Sequence, residues 1–198
     1  GKGLLQREHP ILSPLGYGGA FLSNLISRKA MGASLERVVF SSAGSLPFGT
    51  SDYATRHLPL TPSNFMDVLQ ASCAIPFVLK AVHDIEGAPH GAYWDGGITD
   101  YHLHLDWKPQ SIAKAQEGLV VYPHFQKAVV PGWLDKSLKW RHKATSFLNN
   151  TVVLAPNPDW VKTLPNGKLP DRTDFATYGQ DLKARVKVWQ AATSAMAP

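Results

Sequence analysis

The sequence predicts an α/β fold, a sheet covered by helices on both faces. Three observations point there. Short runs are apolar at every position, the pattern of a strand buried on both sides. Segments with helical spacing lie between those runs, the alternation expected of layered α/β architecture. Hydrophobic residues make up 44% of the 198 positions and charged residues 18%, a balance that excludes a disordered chain. The length fits a single domain over residues 1–198 with a sizeable core.

Each element has its own justification. Residues 1–19 are rich in Gly and Pro and read as an irregular lead-in. Ala20 to Met31 has helical spacing, with Phe21, Leu22, Leu25 and Ile26 on one side. Gly32 stands where a helix-terminating glycine belongs. Leu35 to Phe40 reads as a buried strand. Thr61-Pro62 marks a helix start, Thr as cap and Pro in the first turn. That helix would place Phe65, Met66, Leu69 and Cys73 on its inner face and stop before Pro76. Ala92-Tyr93-Trp94 is a short strand, and Leu119–Tyr122 and Thr151–Leu154 are two more. The spacing predicts a basic helix over Trp133–Phe147. A last helix would begin near Asp174 and carry Phe175, Tyr178, Leu182, Val186 and Trp189.

Composition narrows the function classes. The formal charge is +5, but Lys and Arg are scattered without a dense tract, so nucleic acid is not the expected partner; such a surface suits anionic lipid headgroups equally well. A single cysteine, Cys73, excludes an internal disulfide and a cysteine-based zinc cluster. No apolar run approaches the roughly 20 residues of a membrane-spanning helix. A cytoplasmic or membrane-peripheral protein is the expectation. The chain opens Gly1-Lys2-Gly3 with neither Met nor the apolar core of a signal peptide, which suggests a piece cut from something longer or an engineered start.

Trp94-Asp95-Gly96-Gly97 is the most informative stretch. A carboxylate directly after a strand lies at the carboxyl end of a sheet, where open α/β sheets bind ligands. The glycines keep side-chain bulk away from it. Taken alone, the tetrad reads more readily as an ordinary Asp-Gly turn, in which the Asp bonds to the backbone. Upstream lies Leu69-Gln70-Ala71-Ser72-Cys73-Ala74-Ile75-Pro76-Phe77, then an apolar stretch, Val78 to Val82, and a polar turn from His83 to Gly91.

That order resembles the second half of the patatin-like lipid acyl hydrolases. There a helix with an Ala-Ser-x-Ala-x-Pro signature leads through an apolar stretch to a strand ending in Asp-Gly-Gly or Asp-Gly-Ala. The matching residues are Ala71, Ser72, Ala74, Pro76, Asp95, Gly96 and Gly97, with Asp100 just beyond. The resemblance covers Leu35 to Asp100, about a third of the chain. It implies a C-terminal portion of a three-layer patatin-like sandwich and hydrolysis of lipid carboxylic esters by a serine–aspartate dyad. Asp95 would be the base, with Gly96 and Gly97 shaping its turn, and no cofactor is implied. Serine needs an adjacent base to attack. An aspartate with a pKa near ~4 is a weak base in water and a better one in a dry pocket.

The sequence departs from the family in two places. Its nucleophile belongs in a G-x-S-x-G elbow. Only Ser34 and Ser51 have glycine two residues before, and Glu36 and Tyr53 stand where the second glycine should be. Gly16-Tyr17-Gly18-Gly19 superficially resembles the oxyanion loop but reads as loop. After the Asp-Gly-Gly turn comes Asp100-Tyr101-His102-Leu103 in place of the family's Asp-Asn and a proline. The expectation is that this chain alone is inactive and that a missing upstream part supplies the serine. The alternative is a non-catalytic lipid-surface or protein-interaction domain that has lost the nucleophile.

Other residues weigh less. Asp100, His102, His104 and Asp106 would share one face of a strand and could hold zinc, but an edge strand has the same alternation, and no metal is assigned. The basic, tryptophan-bearing stretch from Trp133 to Phe147 suits a lipid–water interface or an ordinary surface helix. Ser72 and Cys73 are expected to pack against the sheet, and His83-Asp84 needs no role.

Overall fold

The computed structural model describes residues 1–107 and 118–196. They fall into two compact units. One comprises Gly1–Val120 with Ala128–Thr151, the other Val121–Lys127 with Val152–Pro198. Helices and strands mix throughout, as an α/β reading requires, but the strands pair two by two.

The first unit opens with a 3-10 turn, Gly3–Leu5, and then α1, Leu12–Ile26. Here the structure corrects the sequence reading. Most of the expected lead-in is helical, Gly16-Tyr17-Gly18-Gly19 lies inside α1 rather than in a loop, and Gly32 sits in a separate 3-10 turn, Ala30–Ala33. The face of α1 that packs inward is small and polar: Ser13, Gly16, Tyr17, Ala20 and Asn24. Gly16 allows this, because a Cβ there would come within 2.7 Å of the Leu5 side chain. The leucine side looks outward, with Leu22 62% and Ile26 83% exposed.

β1, Arg37–Ser41, follows, then β2, Phe48–Gly49, and β3, Thr55–Pro59. β1 and β3 run parallel, with Arg37 opposite Thr55 and Ser41 opposite Pro59. α2 spans Phe65–Ser72. Its start is built by Thr61 and Asn64 reciprocally: the Thr61 N–H donates to Asn64 Oδ1 at 2.9 Å and the Asn64 N–H to Thr61 Oγ1 at 3.3 Å. The predicted start is thus a turn that leads into the helix. The predicted inner face is not inner, however. Phe65, Met66, Leu69 and Cys73 are exposed, and Ala71 is the residue α2 buries. Ser72 and Cys73 also face solvent instead of packing against a sheet.

β4, Val82–His83, and β5, Ala92–Tyr93, form an antiparallel hairpin, with Val82 opposite Tyr93. At its turn Asp84 has φ +57 and accepts the Gly91 N–H at 2.9 Å. A four-residue α3, Gly97–Asp100, follows directly, and β6, Asp106–Trp107, pairs antiparallel with β2. The predicted basic helix is replaced by three 3-10 turns, Trp133–Asp135, Lys139–Arg141 and Ser146–Leu148. Leu138 leaves helical space (φ −92, ψ 66) between the first two. The core gathers Leu5, Tyr17, Ala20, Met31, Leu35, Tyr53, Ile98 and Leu134. Trp94 packs on its edge, its ring 5.9 Å from Tyr17 in a T-shaped contact.

The second unit carries all but the first residue of β7 and of β8, Val120–Pro123 and Thr151–Leu154, which pair with each other. α4 is Pro158–Thr163, capped by the Asn157 side chain. The predicted last helix is two, α5 (Thr173–Tyr178) and α6 (Leu182–Ser194). Gly179, at φ +49, takes the left-handed backbone that ends α5. Asp181 then caps α6 by accepting the Ala184 N–H at 3.0 Å. The predicted apolar spacing still brings the two together: Phe175 meets Trp189 edge-on at 5.8 Å. Buried Asp174 accepts the Trp189 indole N–H at 2.9 Å and pairs with Lys168 at 2.7 Å. Among the described residues, no helix is long and apolar enough to cross a membrane.

Candidate functional site

The site lies in the first unit, where β5 gives way to α3. Asp95 is half-buried there. Its backbone N–H donates to the Ala74 carbonyl at 3.0 Å, so the aspartate turn is tied to the small-residue run that ends α2. Two stretches separated by twenty positions in sequence therefore form one piece of structure. Asp95 Oδ1 accepts the Gly97 N–H at 2.6 Å. Among the described residues, no hydrogen bond or ion pair engages Oδ2. One oxygen is spent on orientation and the other stays available.

The two glycines are not equivalent. A Cβ on residue 97 would stand 2.9 Å from Asp95 Oδ1, so glycine there permits the close approach of backbone to carboxylate. At Gly96 (φ −61) a Cβ would meet nothing within 4 Å. Neither space nor backbone angle demands glycine at that position.

Two cavities flank the turn, of about 360 and 410 Å³. Val38, Tyr93, Trp94 and Asp95 line both, and Phe40 and Leu105 add apolar wall to the second. Ser72 reaches the second cavity as well, without a hydrogen bond to Asp95. Sequence reasoning passed over Trp94 itself. Its indole nitrogen is buried without a hydrogen-bond partner among the described residues, an uncommon state for a donor. The only sequence signal was its place next to Asp95.

Asp100, five residues on, is arranged in the opposite way. Arg37 donates to it twice, at 2.6 and 2.7 Å, and Arg28 once, at 2.9 Å. Arg37 also grips Asp52 with both terminal nitrogens, at 2.8 and 3.0 Å. Burial alone would lower the Arg37 pKa, but the Asp52 and Asp100 carboxylates outweigh it and raise it. Asp52 mirrors this: burial pushes its carboxyl up, while the Arg37 hydrogen bonds and charge hold it below its ordinary value. Farther along, Asp135, 1% exposed, accepts from Asn24 at 2.7 Å and from Arg141 at 3.1 Å.

The alternating set Asp100, His102, His104 and Asp106 does not share a strand face. Asp100 closes α3, and Leu103 adopts φ +48, which turns the chain out of extended geometry. Asp100 goes to arginines, His102 Nδ1 accepts the Val130 N–H at 3.0 Å, and His104 Nε2 lies 3.3 Å from Thr145 Oγ1. No group of three metal-ligating side chains forms among the described residues. His83, in β4, accepts the Glu8 N–H at 3.4 Å, and Asp84 shapes its hairpin.

No family model, curated protein or solved structure matches this chain.

Proposed function

We propose that the chain is part of a patatin-like lipid acyl hydrolase, in which Asp95 is the base of a serine–aspartate dyad and a segment outside this chain contributes the serine. The observation that carries the reading is the state of Asp95. Its carboxylate is oriented through Oδ1, unengaged at Oδ2 among the described residues, and set between two cavities, the second of them walled by Val39, Phe40, Leu105 and Trp107. The tie from Asp95 to Ala74 supports it too, because it joins the two halves of the motif on which the resemblance rests. In such a dyad Asp95 Oδ2 would take the serine proton as the oxygen attacks the ester carbonyl, and would return it to the leaving alcohol. The apolar wall of the second cavity suits acyl chains. The completed domain would be a three-layer sandwich, with the paired strands of the first unit as parts of its sheet. No cofactor enters the reaction, and the substrates are lipid or other carboxylic esters.

A second reading is a non-catalytic lipid-surface or protein-interaction domain. Two observations favour it: the outward leucine face of α1 and the absence of any G-x-S-x-G in the chain.

The test is labelling of the natural protein with a fluorophosphonate, followed by intact mass. One covalent adduct on a protein well above 21.7 kDa, with ester hydrolysis reduced at least about a hundredfold by Asp95→Asn, is the expected result. A protein near 21.7 kDa without an adduct sinks the dyad and leaves the binding domain.

A further inference from the structure

A third cavity, of about 510 Å³, lies in the same unit and does not include Asp95. Arg28, Arg141 and Lys143 line it, together with the hydroxyl-bearing Thr145 and Ser146 and the exposed ring of Trp140. Two carboxylates also reach it, Asp52 and Asp135. Both are already committed, Asp52 to Arg37 and Asp135 to Asn24 and Arg141. Three cations against two carboxylates leave an excess of positive charge in the lining. His104 does not add to it, since burial holds its imidazole below its ordinary value.

Arg28 supplies a largely buried charge to this lining. Its Nη2 donates to Asp100 at 2.9 Å. Its Nη1 is buried and has no hydrogen-bond partner, the nearest carboxylate oxygen being Asp135 Oδ2 at 3.9 Å. That nitrogen is closed to solvent, so Arg28 gives the cavity wall its charge rather than a hydrogen bond that a ligand could take from Nη1. We infer that this cavity is a binding site for a phosphate monoester, independent of the Asp95 reading. A phosphate dianion answers the excess positive charge of the lining and offers three oxygens to the Lys143 ammonium and the Ser146 hydroxyl; a carboxylate offers two and a single charge. Trp140, 62% exposed at the rim, gives the organic part of the ester an apolar face. The charges and hydroxyls of the lining come from three places in the chain: the residues after α1, the Lys139–Arg141 turn, and the loop leading to Ser146.

The phosphate has two sources, a soluble ester or a lipid headgroup, and one titration series separates them. The full chain is titrated with inorganic phosphate and with glycerol phosphate at low salt, by calorimetry. It is then sedimented with phosphatidylcholine vesicles, with and without phosphatidic acid. Expected is a dissociation constant below about 1 mM for glycerol phosphate, weakened at least about tenfold by Lys143→Glu and restored by Lys143→Arg. Lys143 is exposed, so these variants keep the buried ion pairs intact. Vesicle binding that requires phosphatidic acid and is released by free glycerol phosphate assigns the site to a headgroup. Soluble binding without vesicle binding assigns it to a small ester. No binding heat at about 10 mM phosphate, or equal binding by Lys143→Glu, overturns the site.

Discussion

Asp95 and Asp100 lie one helical turn apart, and the protein treats them in opposite ways. Asp100 is enclosed by two arginines that donate three hydrogen bonds to it, with Thr99 adding a fourth. Asp95 receives one side-chain hydrogen bond, from the next glycine but one, and borders two cavities. Two identical functional groups thus separate into a structural anchor and an available carboxylate. What separates them is where the donors are spent: Arg37 of strand β1 lines both cavities beside Asp95, yet its side-chain hydrogen bonds go to Asp100, Asp52 and Thr55.

The largest expected effect tests the anchor. Asp100→Ala leaves Arg28 and Arg37 short of a buried counter-charge and should cost about 3–5 kcal/mol, read as a fall in the urea midpoint. A loss below about 1 kcal/mol would mean that Asp52 alone can hold both arginines. Next comes acid. A carboxyl held low in the folded state, as Asp52 is, gives stability that is complete above its ordinary value of 3.8 and is lost as pH falls through the folded one. His104, held below 6.5 by burial, has the same sign and begins to contribute at higher pH. The urea midpoint should therefore decline below pH 6.5, more steeply below 3.8, and Asp52→Asn should flatten the lower limb. A midpoint that rises on acidification contradicts the sign. The smallest effects concern the glycines. Gly97→Ala forces a methyl against Asp95 Oδ1 and should cost about 1–3 kcal/mol, whereas Gly96→Ala should stay within about 0.5 kcal/mol. Equal costs would erase the distinction between the two positions.

Much of the strand pattern was legible because a short apolar run needs only local information. β1, β5 and β8 lie where Leu35–Phe40, Ala92–Trp94 and Thr151–Leu154 placed them. Helix faces were not legible. In α1 and α2 the periodicity was real, but it could not say which side packs inward, and Gly16 and Ala20 pack where the leucines were expected to lead. The long basic helix failed at Leu138, whose backbone leaves helical space. The zinc face failed at Leu103, whose positive φ no residue type announces. At the site, the Asp95 turn could be located from its glycines. The arginines that capture Asp100 could not, because they come from positions 28 and 37, far off in sequence. Trp94 has an unused N–H only because of three-dimensional packing.

The outward leucines of α1 bear on how this protein behaves as a colloid. Ile11, Leu15, Leu22 and Ile26 recur along one side of a helix that is open to solvent, so two molecules meeting along that side can dehydrate one another. At low salt the net charge of +5 keeps them apart. Added salt screens that repulsion within about 10 Å at 0.1 M and leaves the attraction between apolar surfaces intact. Light scattering from a concentrated solution should therefore rise with ionic strength, and one charged residue placed at Leu22 should suppress the rise. This chain's solubility depends on the side of a helix that its own fold leaves unused.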